Sequence, residues 1–122
     1  MKKGLLFAAL ALVVVMFGSC NRFKSATVSV LVKDANGPKV GIRVGMFDSD
    51  TKIATAEYKE AIIKNVTDAT GTAEFEVTTV EFKFDKQGAF QFIVFDDELA
   101  PLKGSPLIPI KTGAHEVVEI NL

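Results

Sequence analysis

The chain has 122 residues, with 14 basic and 15 acidic side chains, a formal charge of −1, one histidine and one cysteine. So even a balance provides no basic stripe for nucleic acid. A lone cysteine excludes an internal disulfide, and zinc lacks the cysteine and histidine clusters it requires.

Residues 1–19 open with Lys2 and Lys3, continue in an unbroken apolar run from Leu5 to Phe17, and close on Gly18 and Ser19 before Cys20. That is the three-part pattern of a secretory signal. As a helix the run would reach about 20 Å at roughly 1.5 Å per residue, short of the roughly 30 Å hydrocarbon core of a bilayer. A cleaved signal is therefore expected rather than a membrane-spanning helix. Phe17-Gly18-Ser19-Cys20 resembles the bacterial lipobox, with Phe17 where Leu is usual. The resemblance implies cleavage between Ser19 and Cys20 and a diacylglyceryl group on the Cys20 thiol. Removing nineteen residues leaves 103, with 12 basic residues against 15 acidic ones, a charge of −3 and no free thiol.

Residues 20–25 then form a lipidated tether, and residues 26–122 the domain. Five residues beyond the lipid extend at most about 17 Å, so the domain is expected close to the bilayer. Arg22 and Lys24 either meet anionic headgroups or are ordinary linker charges. Asn21-Arg22-Phe23-Lys24-Ser25 contains no acid. Some lipoproteins exported to the cell exterior carry acids directly after the lipidated cysteine, so this resemblance implies the periplasmic face of the outer membrane.

From Ala26 the pattern alternates. Val28, Val30 and Val32 share one face, and Thr27, Ser29, Leu31 and Lys33 the other, which predicts a half-buried strand. Asp34-Ala35-Asn36-Gly37 supplies turn chemistry, and Val40, Ile42, Val44 and Met46 predict a second strand ending at Asp48, paired with the first as a hairpin. Residues 49–60 fit neither period and are expected to be a crossover with one helical turn, with a strand returning over 62–66. After the turn cluster 67–71, Ala73, Phe75 and Val77 alternate with acids. Val80, Phe82 and Phe84 continue that pattern as another strand, and 85–88 predicts a hairpin connection with Gly88 in a left-handed conformation.

The stretch from Ala89 to Phe95 differs. Phe90, Phe92 and Val94 line one face while Ala89, Ile93 and Phe95 line the other, so the strand needs cover on both sides. Either residues 49–60 or 99–105 supply it, or Ile93 and Phe95 form an apolar interaction patch for another chain. Residues 99–105 read as loop, 106–110 as a short edge strand, and 115–122 as a last strand with Val118, Ile120 and Leu122 toward the core. The fold expected is all-β, a seven-stranded sandwich.

Residues 32–44 (Val-Lys-Asp-Ala-Asn-Gly-Pro-Lys-Val-Gly-Ile-Arg-Val) and 67–75 (Thr-Asp-Ala-Thr-Gly-Thr-Ala-Glu-Phe) together resemble the carboxypeptidase regulatory-like domain. That is a transthyretin-like (prealbumin-like) sandwich of Ig-like Greek-key type. The run from Gly88 to Val94 is similar to that family's glycine–aromatic strand. These are turn and core patterns, so the likeness implies a fold and not an activity.

Few residues offer chemistry. His115 lacks a nucleophile and an orienting partner nearby in sequence, so no catalytic residue and no cofactor is expected. Asp48 and Asp50 end one strand and Asp96, Asp97 and Glu98 another; calcium would need them to converge at one pole. The function expected is a non-enzymatic envelope lipoprotein, a binding or assembly accessory with an envelope protein partner or a second copy. The alternative is a small-ligand binder for a carbohydrate or apolar molecule, which requires a concave apolar pocket of roughly 300 Å³ or more.

Overall fold

The computed structural model of the chain describes residues 25–78, 80–83 and 87–122. The signal, the cleavage position Ser19, Cys20 and most of the tether therefore lie outside the described residues. Among the described residues nine strand segments follow in order: β1 (Ser25–Asp34), β2 (Gly37–Pro38), β3 (Arg43–Asp48), β4 (Ile63–Val66), β5 (Thr72–Thr78), β6 (Gln87–Phe95), β7 (Pro101–Gly104), β8 (Ile108–Lys111) and β9 (His115–Asn121). Two 3-10 turns, Ile53–Thr55 and Tyr58–Glu60, fall between β3 and β4.

The segments make two sheets packed as a β-sandwich. In the first, β1 is central, antiparallel to β5 and parallel to β9. The two-residue β2 continues the β5 edge of β1, pairing Lys33 with Pro38 and Asp34 with Gly37. In the second, β3 lies between β4 and β6, and β7 and β8 divide the far edge of β6 between its two ends. The segments thus fill three lanes in one sheet and four in the other. That reconciles nine segments with the seven strands expected from the sequence.

Alternation builds the core. Val28, Val30 and Val32 of β1, Phe75 and Val77 of β5, Val44 and Met46 of β3, and Phe92 and Val94 of β6 are all at most 1% exposed. Phe75 and Phe92 meet across the sheets with ring centroids 5.2 Å apart. Burial of such side chains stabilises the fold by about 1.5–3 kcal/mol each.

Several expectations fail, each for a physical reason. The first hairpin does not form, because β5 takes the edge of β1 that residues 40–46 would have needed; Val32 N–H donates to Gly71 O at 2.9 Å. The chain turns back at Gly37, pairs for two residues and turns again at Gly41 to cross to the other sheet; the φ values of 113° and 74° at these positions suit glycine. Val80–Lys83 is a turn rather than a strand. The Thr78 hydroxyl donates to Glu81 Oε2 at 2.7 Å, Phe82 N–H returns to Thr78 O, and Phe82 folds inward 5.8 Å from the Phe90 ring. Phe84, Asp85 and Lys86 lie outside the described residues. Gly88 is not a left-handed turn residue but part of β6, opposite Ile110. Residues 99–105 contain β7, an added edge strand. Leu122 follows β9 and is 40% exposed instead of core.

Candidate functional site

The second face of β6 is covered by the chain itself. Phe47 and Ala56 form a separate small core with Ile93 and Phe95, and Tyr58 and Ala61 pack against it. Tyr58 stands edge-on to Phe95, and Phe47 is tilted against the same ring at 5.9 Å. Burial raises the Tyr58 hydroxyl above its ordinary value, with Arg43 opposing that shift. Gln91, the polar residue among these apolar ones, is buried and donates its amide to Asp48 O at 2.9 Å and to Thr51 O. It thereby pins the start of the covering segment. Ile93 and Phe95 are 0% and 1% exposed, so they form no interaction patch; the 3-10 turns from residues 53–60 have taken that surface.

The acids do not converge either. In the antiparallel pairing of β3 with β6, Asp48 stands opposite Phe90 whereas Asp96 follows Phe95, the partner of Arg43. Six strand steps at about 3.4 Å each put roughly 20 Å between the two groups. Among the described residues no three His, Cys, Asp or Glu side chains are grouped to hold a metal ion. His115 lies on the outer face of the first sheet, with Nε2 3.3 Å from Ser29 Oγ in an exposed contact.

β1 gives the sandwich two distinguishable ends. It starts at Ser25, where the expected tether joins, and reaches Asp34 about 30 Å away at roughly 3.3 Å per residue. Ser25, the first described residue, is already paired, with Thr78. Among the described residues no helix is long and apolar enough to cross a membrane.

At the far end, an open groove of about 340 Å³ spans the two sheets. Asp34, Lys39 and Leu122 line it on the side of the first sheet, and Asp96, Asp97 and Leu102 on the side of the second. Its floor is the 39–42 loop, which Thr67 holds through four hydrogen bonds. The Thr67 hydroxyl accepts from Ile42 N–H at 2.9 Å and donates to Lys39 O at 2.6 Å. The Thr67 backbone pairs with Ile42 O and Gly41 N–H. The opposite wall is a tight turn in which Asp96 Oδ1 accepts from Glu98 N–H and Ala100 N–H, both at 2.9 Å.

Charge and apolar surface meet in this groove. The N–H of Asn36, together with Lys39 at 3.4 Å, holds the Asp34 carboxyl below its ordinary value. Asp97 is fully exposed and 3.7 Å from Arg43. Val40 is 64% exposed and Leu102 50%. Two other open depressions, of about 350 and 270 Å³, lie on the covering segment and beside Val80. None of the three is lined by Phe75 or Phe92, the side chains at the centre of the core. Sequence reasoning missed the end groove because its parts lie up to 88 residues apart, from Asp34 to Leu122. The usable signal was the pair Gly37 and Gly41, which flank Val40 and interrupt the strand read through it.

No family model matches the chain, and no curated protein matches it in sequence. Solved structures do resemble it. The minor pilin GBS52 of Streptococcus agalactiae superposes with a TM-score of 0.48 at 10% identity, over 80% of this chain and 44% of that one. The major pilin subunit BcpA of Bacillus cereus gives 0.47 at 16% identity, over 79% and 29%. A DUF3823 family protein from Parabacteroides merdae gives 0.46 at 10%, over 80% and 45%. The chain spans less than half the length of each.

Proposed function

We propose that the protein is a non-enzymatic, lipid-tethered module of the cell envelope. In this reading a carboxypeptidase regulatory-like sandwich is anchored through Cys20 to the periplasmic face of the outer membrane and binds, or helps assemble, other envelope proteins. The observation that carries it is the position of β1. Among the described residues its first paired position is Ser25, five residues after the cysteine of the lipobox-like motif, so a lipid there would hold the sandwich by one end. The far end, with its open groove, would face away from the bilayer. Seven lanes and the turn between β4 and β5 fit the family resemblance read from the sequence. Open depressions lined by strand ends and loops favour protein contacts over a small ligand enclosed between the sheets.

Fractionation of cells making the wild type and Cys20→Ala tests the anchor. The wild type is expected in the membrane fraction, released by detergent and not by salt, with Cys20→Ala unprocessed or soluble. A wild type that is soluble, or a variant that fractionates and migrates identically to it, contradicts the reading.

A further inference from the structure

We propose that the end groove is the docking site of this module, and that its occupant is a segment of a partner protein presenting an apolar side chain flanked by lysine or arginine. The inference names the partner chemistry of the binding role proposed above and rests on that reading.

Three observations select this occupant. The first is size and shape: about 340 Å³, open to one side, is near the lower limit of small-molecule sites. It suits one large side chain on a passing strand better than an enclosed ligand. The second is composition. Val40 and Leu102 are at least half exposed and Leu122 nearly so, whereas a solvated loop end would ordinarily be polar. Three carboxylates, Asp34, Asp96 and Asp97, line the groove; Lys39 pairs with Asp34 at 3.4 Å and Arg43 lies 3.7 Å from Asp97, which leaves one carboxylate, Asp96, in excess. An excess of negative charge around an apolar floor complements a basic, apolar segment and repels an acidic one. The third is position. Residues 1–24 lead into β1 at Ser25, whereas the groove is at the Asp34 end, which the proposed short tether would leave accessible.

A second copy of the chain is a poorer occupant, since it would bring like charge to the same carboxylates. The groove is also pre-formed. Thr67 fixes the 39–42 loop and Asp96 fixes the facing turn, so little ordering cost opposes binding.

The test uses the full chain, extracted from membranes into detergent micelles with leucine and valine methyl groups labelled, and two synthetic peptides. One places a leucine between lysines in an extended seven-residue sequence; the other replaces each lysine by glutamate. The lysine peptide is expected to shift the Val40, Leu102 and Leu122 methyl signals saturably. Asp96→Asn with Asp97→Lys is expected to weaken it about tenfold, and Leu102→Asp to abolish it. Val117→Asp, on the outer face of β9, is expected to leave binding unchanged. Equal binding of the glutamate peptide, shifts confined to other methyl groups, no shift at all, or concentration-dependent groove shifts without peptide would each overturn the proposal. The methyl spectrum reads the groove whether or not Cys20 carries lipid, so a failure here is separate from a failure of the anchor.

Discussion

The ring of Tyr58 meets the ring of Phe95 edge-on, with centroids 5.3 Å apart and planes inclined at 61°. This contact joins the segment between β3 and β4 to the second face of β6, and it closes what would otherwise be an apolar patch. Phe95→Ala is expected to destabilise the fold by about 3–5 kcal/mol, and Tyr58→Ala by less, because Tyr58 is only half-buried. A double-mutant cycle in urea is expected to give a coupling of about 0.5–1.5 kcal/mol. Additive single effects would show that the contact contributes nothing beyond burial.

Thr67 is 4% exposed, and its hydroxyl serves Ile42 N–H and Lys39 O together. Thr67→Val keeps the shape and removes both bonds. Each backbone group left unpaired costs about 1–3 kcal/mol, so a clear fall in the urea midpoint is expected. Thr67→Ser, which retains the hydroxyl, is expected to lose only about 1 kcal/mol for the missing methyl. Equal losses in the two variants would mean that the hydroxyl is not what holds the loop.

Gly71 closes the turn before β5 with φ of 76°. A Cβ there would lie 3.0 Å from Val32 O and 3.1 Å from Lys39 N, backbone atoms that cannot swing aside. Gly71→Ala combines this crowding with a left-handed backbone, a conformation that costs L-residues about 1–2 kcal/mol. Thermal unfolding is the measurement, and an unchanged melting temperature would refute the argument.

Acid stability follows from three carboxylates. Asp68 is held below its ordinary 3.8 chiefly by the Thr70 hydroxyl at 2.6 Å and also by the N–H groups of Thr70 and Thr72. Asp34 is lowered chiefly by Asn36 N–H, and Glu119 chiefly by Lys33 at 2.9 Å. A folded value below the unfolded one stabilises the protein above the unfolded value and is lost as pH falls through the folded one. Urea midpoints are therefore expected to hold steady from about pH 7 to about pH 5 and to decline below about pH 4. Asp68→Asn should lower stability at neutral pH and flatten that acid limb. An acid limb equally steep in Asp68→Asn would remove Asp68 from the account.

Much of the fold was legible because period-two patterning is local. Val28, Val30 and Val32 declare an inward face whatever they pair with, and the burial of β5 and β9 follows the same rule. What failed depended on distant competition. Nothing near Val40 announces that β5, thirty residues later, takes the edge beside it. Val80 and Phe82 have strand spacing, yet the Thr78–Glu81 hydrogen bonds convert that spacing into a turn. Pro101 and Gly104 look like breakers, and they are tolerated in β7 because it lies at a sheet edge. For the second face of β6, the sequence stated the demand for cover and not its supplier. Ala56, Tyr58 and Ala61 belong to short 3-10 turns and their flanks, which follow no helical or strand period. The proposed anchor was legible as motif chemistry, whereas the groove depends on contacts no local pattern encodes.

The central claim is that a lipid on Cys20 holds this sandwich by the Ser25 end. Its most direct test is the mass of the amino-terminal peptide of the protein extracted from membranes. The account predicts a chain beginning at Cys20 whose first residue carries the added mass of a diacylglyceryl group. A chain that retains residues 1–19, or one cleaved elsewhere with an unmodified Cys20, would contradict it.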